Sequence, residues 1–204
     1  MTTAAFLGDS ITDGTGAVTK PQFFGAATGA RLGWTVFQAG YAGETFLSLA
    51  AHVPQMVLSC IASTMRTPDV VVVQAGSNDV GSGATPAAIA ANAVSLLTTI
   101  RAGLPAATLY VLGIFWHEAP AAAYIAADAA VRAAVTPYAR FLGPMADGWI
   151  ADGNKGIYIW DGIHPTQAGH DYLGTRLASV ILYGSTPTFA SFATEAGELI
   201  AVQP

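Results

Sequence analysis

Ser10 stands where a side-chain hydroxyl could act as a nucleophile. It lies in Gly8-Asp9-Ser10-Ile11-Thr12, directly after the short apolar run Ala4-Ala5-Phe6-Leu7. A side chain at the end of a buried strand is held by the scaffold and stays open to solvent, which suits a nucleophile if a base and an oxyanion site converge on it. The same residue types also form ordinary turns, so the rest of the chain decides between the two interpretations.

A candidate base and its acceptor stand together near the other end of the chain. A serine hydroxyl is a weak nucleophile and needs a base, most often a histidine, whose second ring nitrogen needs an acceptor to fix its tautomer and orientation. Asp161 stands three residues before His164 in Asp161-Gly162-Ile163-His164-Pro165 and can be that acceptor. Asp147 and Asp152 are competing acceptors, and the three-residue offset favours Asp161.

Three donors could stabilise the oxyanion that forms when a serine attacks a carbonyl group. The peptide N–H groups of Ser10 and Gly43 are candidates, because glycine lets a ligand approach the backbone closely. The side-chain amide of Asn78 is the third. Gly40 is the alternative to Gly43, since both follow the same predicted strand.

Strand-like and helix-like segments alternate along the chain, which predicts a parallel sheet with helices on both faces. The clearest strand is the four-valine run within 69–75, whose continuous apolarity indicates burial on both faces. The other strands are predicted at 3–7, 34–38, 108–115 and 141–142, and the helices at 21–32, 46–65 with an interruption near Pro54, 85–103, 121–139 and 166–183, with a loop over 147–163. Ligands bind at the carboxyl ends of such strands, and the candidate residues of the first three predicted strands follow their ends.

The composition excludes several classes of protein. Hydrophobic residues make up 52% of the 204 residues and charged residues 10%, which predicts a folded domain with a full core. The net charge is −5 and only Lys20 and Lys155 are lysines, so no basic patch is available for nucleic acid. Cys60 is the single cysteine, which rules out an internal disulfide.

Two charge-free stretches, 45–65 and 80–100, are long enough to span a bilayer. Neither is a continuous run of large apolar side chains: the first contains His52, Pro54 and Gln55, and the second is dominated by alanine. No basic stretch followed by an apolar core precedes the first strand, so no signal peptide is predicted. We therefore expect a soluble protein without an integral membrane segment, located in the cytoplasm or secreted after removal of a leader.

The motifs resemble the four sequence blocks of the SGNH/GDSL hydrolases, a family of esterases and lipases. The first, third and last blocks are similar to Gly8-Asp9-Ser10-Ile11-Thr12, Gly76-Ser77-Asn78-Asp79 and Asp161-Gly162-Ile163-His164-Pro165, and the second is similar to the glycine of Ala42-Gly43-Glu44-Thr45. The blocks occur in family order and span nearly the whole chain. Gln38 stands where the family usually has asparagine.

The resemblance implies a three-layer α/β/α, flavodoxin-like fold with a parallel sheet of about five strands, which we assign to residues 1–184. The segment 185–204 has no strong periodicity and is expected to be a C-terminal extension packed on the domain or on a neighbouring molecule. No metal or organic cofactor is implied. The site residues that the resemblance implies are the nucleophile Ser10, the pair Asp161 and His164, and the oxyanion donors Ser10, Gly43 and Asn78.

These observations predict a serine esterase that hydrolyses carboxylic esters through an acyl-enzyme. The expected substrate is a small-molecule or glycan ester with a short acyl group, such as O-acetyl on a carbohydrate, because the chain is compact, has no long lid-like insertion and carries aromatic residues near strand ends. A lysophospholipase or thioesterase acting on longer acyl chains is the alternative. From another class, a catalytically inactive ligand-binding module is possible, although the intact motif residues argue against it.

The residues predicted to line the substrate site are Asp9, Tyr41, Trp116, His117 and Ile163. Asp9 is also expected to brace the first turn through its side chain. Trp149 and Trp160 are further candidates for an aromatic wall. His52 and His170 are interpreted as structural, because neither belongs to a spaced pair with a carboxylate or cysteine that would suggest a metal site.

Overall fold

A parallel five-stranded sheet forms the centre of the molecule, which we describe from a computed structural model for residues 1–17, 19, 22–115, 121–150 and 154–184. The strand order is β2-β1-β3-β4-β5, and every neighbouring pair is parallel. The strands are β1 Thr3–Gly8, β2 Thr35–Gly40, β3 Val70–Gln74, β4 Thr108–Leu112 and β5 Arg140–Leu142. The predicted α/β class and the strand number are confirmed.

Helices cover both faces of this sheet. They are α1 Phe24–Leu32, α2 Phe46–Leu49, α3 Val53–Thr64, α4 Ser77–Gly81, α5 Pro86–Gly103, α6 Ala122–Val135, α7 Lys155–Tyr158 and α8 Gln167–Tyr183, with a 3₁₀ turn at Ala50–His52 between α2 and α3. Along β3, Val71 and Val73 join the core shared with α3, α5 and α6, whereas Val70 and Val72 join the core shared with α1 and α8. The valine run is therefore buried on both faces, as its composition predicts.

Two predicted elements differ from the structure. The segment 147–163 was expected to be a loop, but α7 lies within it, because four residues are too few to show a helical period. The interruption expected near Pro54 falls earlier, at Ala50–His52, because Pro54 lies in the first turn of α3, where its missing N–H costs nothing. Pro21 and the extension 185–204 lie outside the described residues.

The strand order fixes where a site can form. The chain leaves β1 for β2 on one side and then returns to place β3 on the other side, so the crevice at the carboxyl ends of β1 and β3 is a topological switch point. The Ser10 turn follows β1, and α4, which carries Asn78, follows β3. Both segments therefore open into the same crevice.

One helical stretch within the described ranges, Phe46–Thr64, is long and apolar enough by composition to cross a membrane. It consists of α2, the 3₁₀ turn and α3, and its side chains Phe46, Val53 and Met56 are buried in the core. A core helix passes the same test of length and composition, so this stretch is weak evidence for a membrane span.

Candidate active site

The Ser10 turn folds tightly over the end of β1. Asp9 Oδ1 accepts the N–H of Ile11 at 2.9 Å, and the Ser10 carbonyl accepts the N–H of Thr15 at 3.0 Å. A Cβ at Gly8 would collide with the Thr12 side chain and the Gln74 carbonyl, so only glycine allows this close approach. These contacts hold the backbone of Ser10 while its side chain remains partly exposed.

An unbroken chain of hydrogen bonds joins Ser10 to His164 and Asp161. His164 Nε2 lies 2.8 Å from Ser10 Oγ, and His164 Nδ1 lies 2.7 Å from Asp161 Oδ2. Asp161 Oδ1 accepts two further hydrogen bonds, from the backbone N–H of Ile163 at 2.9 Å and of His164 at 2.7 Å. The geometry is that of a nucleophile, a base and an acceptor that orients the base. The structure therefore brings together residues that are more than 150 positions apart in the sequence.

The carboxyl group of Asp161 is held in its ionised form. Desolvation acts to raise its pKa, but the hydrogen bonds from the His164 backbone, the His164 ring and the Ile163 backbone outweigh it and lower the pKa to about 2. An ionised carboxylate can accept a hydrogen bond from the N–H at Nδ1 of His164. The ring then carries its proton on Nδ1, and Nε2 is free to act as a base.

A short antiparallel turn positions His164. Ile159 pairs with Pro165, the N–H of Trp160 donates to the His164 carbonyl at 3.1 Å, and the N–H of Thr166 donates to the Tyr158 carbonyl at 2.7 Å. The Thr166 hydroxyl then caps α8. The histidine is thus fixed between α7 and the start of a long helix.

The two peptide donors predicted for the oxyanion are free to bind a ligand. Within the described residues, no oxygen accepts a hydrogen bond from the N–H of Ser10 or of Gly43. Gly43 has φ +82° and open space around it, whereas a Cβ at Gly40 would collide with the backbone of Asp13. The two glycines therefore differ: Gly40 allows close packing under the Ser10 turn, whereas Gly43 is exposed and open to a ligand. Asn78 Nδ2 donates one hydrogen to the Glu44 carbonyl at 2.9 Å, and no described residue accepts its second amide hydrogen.

Two glutamines support the Ser10 turn, a role that the sequence analysis assigned to neither of them. Gln74 Nε2 donates to Asp9 Oδ2 at 3.2 Å, and Gln74 Oε1 accepts the Thr12 hydroxyl at 2.9 Å. Gln38 Nε2 donates to the Thr12 carbonyl at 2.8 Å. Gln74 had a signal in the sequence, because it is a polar residue directly after four valines. The structure pairs it in register with Gly8.

Two residues that the sequence analysis placed at the substrate site are buried instead. Asp9 is 1% exposed and sits beneath the turn, so it braces the turn and does not line the site. Trp149 is also buried, at 1% exposure, and belongs to the core. Burial was not readable from either residue alone, since both stand in polar, glycine-bearing segments.

The remaining lining candidates have varied surroundings. Ile163 is 51% exposed beside His164. Tyr41 is partly exposed and stacks on the His52 ring, and His52 also contacts the carboxylate of Glu44, a pair that the sequence analysis did not single out. Trp116 and His117 lie outside the described residues.

Asp9 makes the stability of the fold depend on pH. Its burial raises the pKa to about 6 despite hydrogen bonds from Ile11 and Gln74 and the nearby His164. Because the folded state holds this proton more tightly than the unfolded state, the group destabilises the fold progressively as pH rises from about 4 to above 6, by a total of about 3 kcal/mol.

We expect Asp9→Asn to flatten this dependence. The asparagine keeps the acceptor for the Ile11 N–H, and a rotated Gln74 amide can accept from its NH₂ group. Urea unfolding of both proteins at pH 5 and 7.5 checks this. The free energy of unfolding of the wild type should fall by about 1 kcal/mol more than that of the variant. Equal pH slopes would contradict the assignment.

A model of the GDSL-like lipase/acylhydrolase family matches residues 6–172. A GDSL lipase of Mycobacterium tuberculosis is 30% identical in an alignment of 189 residues, and the match covers 87% of this chain and 80% of the lipase. The solved structure of TesA is 27% identical, with a TM-score of 0.67 over 88% of this chain and 99% of TesA.

Two more distant structures share the fold. A GDSL-family lipolytic protein of Desulfitobacterium hafniense has a TM-score of 0.71 at 15% identity, over 88% of this chain and 99% of that one. A family two carbohydrate esterase of Clostridium thermocellum, solved in complex with cellohexaose, has a TM-score of 0.70 at 16% identity. That match covers 88% of this chain and 63% of the esterase, so this chain spans less than two thirds of that protein.

Proposed function

Because the chain belongs to the GDSL-like lipase/acylhydrolase family, we propose that it is a serine esterase that hydrolyses carboxylic esters through an acyl-enzyme on Ser10. The observation that carries this proposal is the hydrogen-bonded series from Ser10 through His164 to Asp161. A nucleophile, a base and an acceptor in hydrogen-bond contact are what nucleophilic acyl transfer requires.

The reaction proceeds in two halves. His164 Nε2 takes the proton of Ser10 Oγ as the oxygen attacks the ester carbonyl, and Asp161 stabilises the resulting imidazolium. The oxyanion of the tetrahedral intermediate accepts from the N–H groups of Ser10 and Gly43 and from the free amide hydrogen of Asn78. Collapse breaks the ester bond, and His164 gives its proton to the leaving alcohol. Water then attacks the acyl-enzyme by the same steps and releases the acid and free Ser10.

The proposed substrate is a short acyl ester, such as O-acetyl on a carbohydrate. Trp160 is 60% exposed directly before Asp161, and its indole lies against Gly16 in the loop that follows Ser10. An exposed indole next to the acceptor residue Asp161 in the chain offers an apolar face and an N–H donor, which together suit a sugar ring. The carbohydrate esterase with this fold, which was solved with cellohexaose, is consistent with that choice.

Longer acyl chains are the second candidate. Ile157 and Ile163, which stand three residues before and three residues after the exposed Trp160 in the sequence, are 63% and 51% exposed. Exposed apolar side chains grouped near a site often mark a binding surface, and an acyl chain of a lysophospholipid or thioester would also fit them.

A chain-length series separates the two candidates. We expect kcat/KM to be highest for p-nitrophenyl acetate or butyrate and to fall by about tenfold or more for octanoate and laurate, because a small acyl site rejects extra methylenes. Trp160→Ala should raise KM for an acetylated cello-oligosaccharide and leave p-nitrophenyl acetate unaffected. A preference for octanoate over acetate would overturn the short-acyl assignment in favour of the second candidate.

A further inference from the structure

We propose that His52 is a positioning residue for the oxyanion site, acting through Tyr41 and Glu44 on the loop that carries Gly43. This inference rests on the proposed function, and it assigns a role to a histidine outside the family's sequence blocks. The loop, residues 41–45, connects β2 to α2, and His52 ends the 3₁₀ turn that follows α2.

One imidazole contacts both ends of this loop. The His52 ring stacks on Tyr41 with ring centroids 3.9 Å apart and planes 13° from parallel. Its Nε2 lies 3.4 Å from Glu44 Oε1. The Glu44 N–H donates to the Tyr41 carbonyl at 3.3 Å, so residues 41 to 44 form a tight turn with Gly43 inside it. The His52 ring therefore bridges the side chains that flank the Gly43 turn.

Glu44 depends on this partner. Its Oε2 is buried and has no hydrogen-bond partner among the described residues, so the described partner of the carboxylate is His52, through Oε1. A carboxylate that loses its partner in a partly buried site gains by moving into water. Without His52, we therefore expect Glu44 to turn outward and to draw the loop backbone with it.

The backbone of the same loop sets the oxyanion donors. Gly43 supplies an N–H that no described residue accepts, and the Glu44 carbonyl accepts from Asn78 Nδ2 at 2.9 Å, which fixes the orientation of that amide. The other end of the loop is anchored to the Ser10 side of the site, because the Tyr41 N–H donates to the Gly8 carbonyl at 2.9 Å. A displacement of the loop thus shifts two of the three proposed donors relative to Ser10.

A shift of donors affects the transition state more than the bound ester. Removal of a single oxyanion donor typically lowers kcat by about 10²–10³. Displacement of donors that are still present should cost less, and we expect His52→Ala to lower kcat by about tenfold with KM unchanged within about twofold. The loss should be equal for p-nitrophenyl acetate and butyrate, since the oxyanion is the same in both.

The experiment measures kcat and KM of the full chain for both esters in four proteins. They are the wild type, His52→Ala, His52→Phe and the control Gln55→Ala, which removes an exposed side chain from the next helix. His52→Phe keeps a ring to stack on Tyr41 but loses the Glu44 contact, and its kcat should fall between those of the wild type and His52→Ala. Thermal unfolding shows whether each variant is folded. If His52→Ala does not fold, His52→Phe tests the inference instead, and its kcat should be at least about threefold below that of the wild type.

Either of two kinds of result would overturn the inference. One is a His52→Ala kcat within twofold of the wild type. The other is a raised KM at unchanged kcat, or a loss that depends on acyl length, which would make the Tyr41–His52 pair a substrate wall. An inactive wild type and an inactive Gln55→Ala would instead refute the proposed function itself, so the two failures are distinguishable.

Discussion

Replacing Ser10 with alanine is expected to lower kcat for ester hydrolysis by about 10⁵-fold or more, because His164 Nε2 then has no hydroxyl to activate. The residual rate would come from water attacking an ester held among the remaining donors. The substitution keeps the backbone hydrogen bond from Thr15 to residue 10 and the Asp9 contact to Ile11. The thermal midpoint should therefore change little, and the loss of activity would reflect chemistry rather than unfolding.

Covalent labelling gives the same prediction without a substrate choice. A fluorophosphonate should attach one phosphonyl group to each wild-type chain, on the peptide that contains Ser10, and none to Ser10→Ala. Ser95→Ala is the matched control, since Ser95 is an exposed serine on α5, away from the site. It should label and hydrolyse esters as the wild type does. A folded wild type that is not labelled would favour the inactive ligand-binding module.

The fold was largely readable because its strongest signals are local. The four valines of β3, the Thr85 and Pro86 start of α5 and the glycine that ends α1 each act through the backbone of a few residues. The break at Ala50–His52 was harder to place, because the apolar pattern continues through it. Its position depends on how α2 and α3 pack on the sheet, which no local pattern records.

The candidate site likewise has a part that the sequence predicts and a part that it does not. Ser10, Asp161 and His164 could be grouped from the sequence, because their residue types have few other joint uses and each lies in a recognisable motif. The contacts of Gln74 with Asp9 and of His52 with Glu44 could not be grouped, because they join residues of different elements that meet only after the chain turns back. Both supporting contacts are tertiary. They affect where the proposed oxyanion donors lie, whereas the sequence motifs indicate which residues supply those donors.

Asp161→Asn is expected to lower kcat by about 10⁴-fold while leaving the site assembled. The reason lies in the two oxygens of the carboxylate. Oδ1 accepts the backbone N–H groups of Ile163 and His164, and Oδ2 accepts from His164 Nδ1. An asparagine has one oxygen, and two backbone donors hold it on the Oδ1 side, so its NH₂ group must face Nδ1.

The consequence is a change of tautomer. Nδ1 becomes an acceptor for the asparagine NH₂, the ring proton moves to Nε2, and Nε2 donates to Ser10 Oγ rather than accepting from it. The base is present but cannot take a proton, so kcat falls while KM stays near the wild-type value. Steady-state kinetics with p-nitrophenyl acetate measure this split.

Two further variants test whether the effect belongs to Asp161 and to its individual oxygens. Asp147→Asn removes a carboxylate that the sequence left as a competing acceptor, and it should keep wild-type kcat because Asp147 has no contact with His164 in the structure. Asp161→Ala removes both oxygens, so it should lose the Ile163 and His164 turn bonds as well as activity, with a lower thermal midpoint than Asp161→Asn. A kcat of Asp161→Asn within tenfold of the wild type would mean that the orientation of His164 does not depend on Asp161. An equal loss in Asp147→Asn would move the acceptor role to that residue.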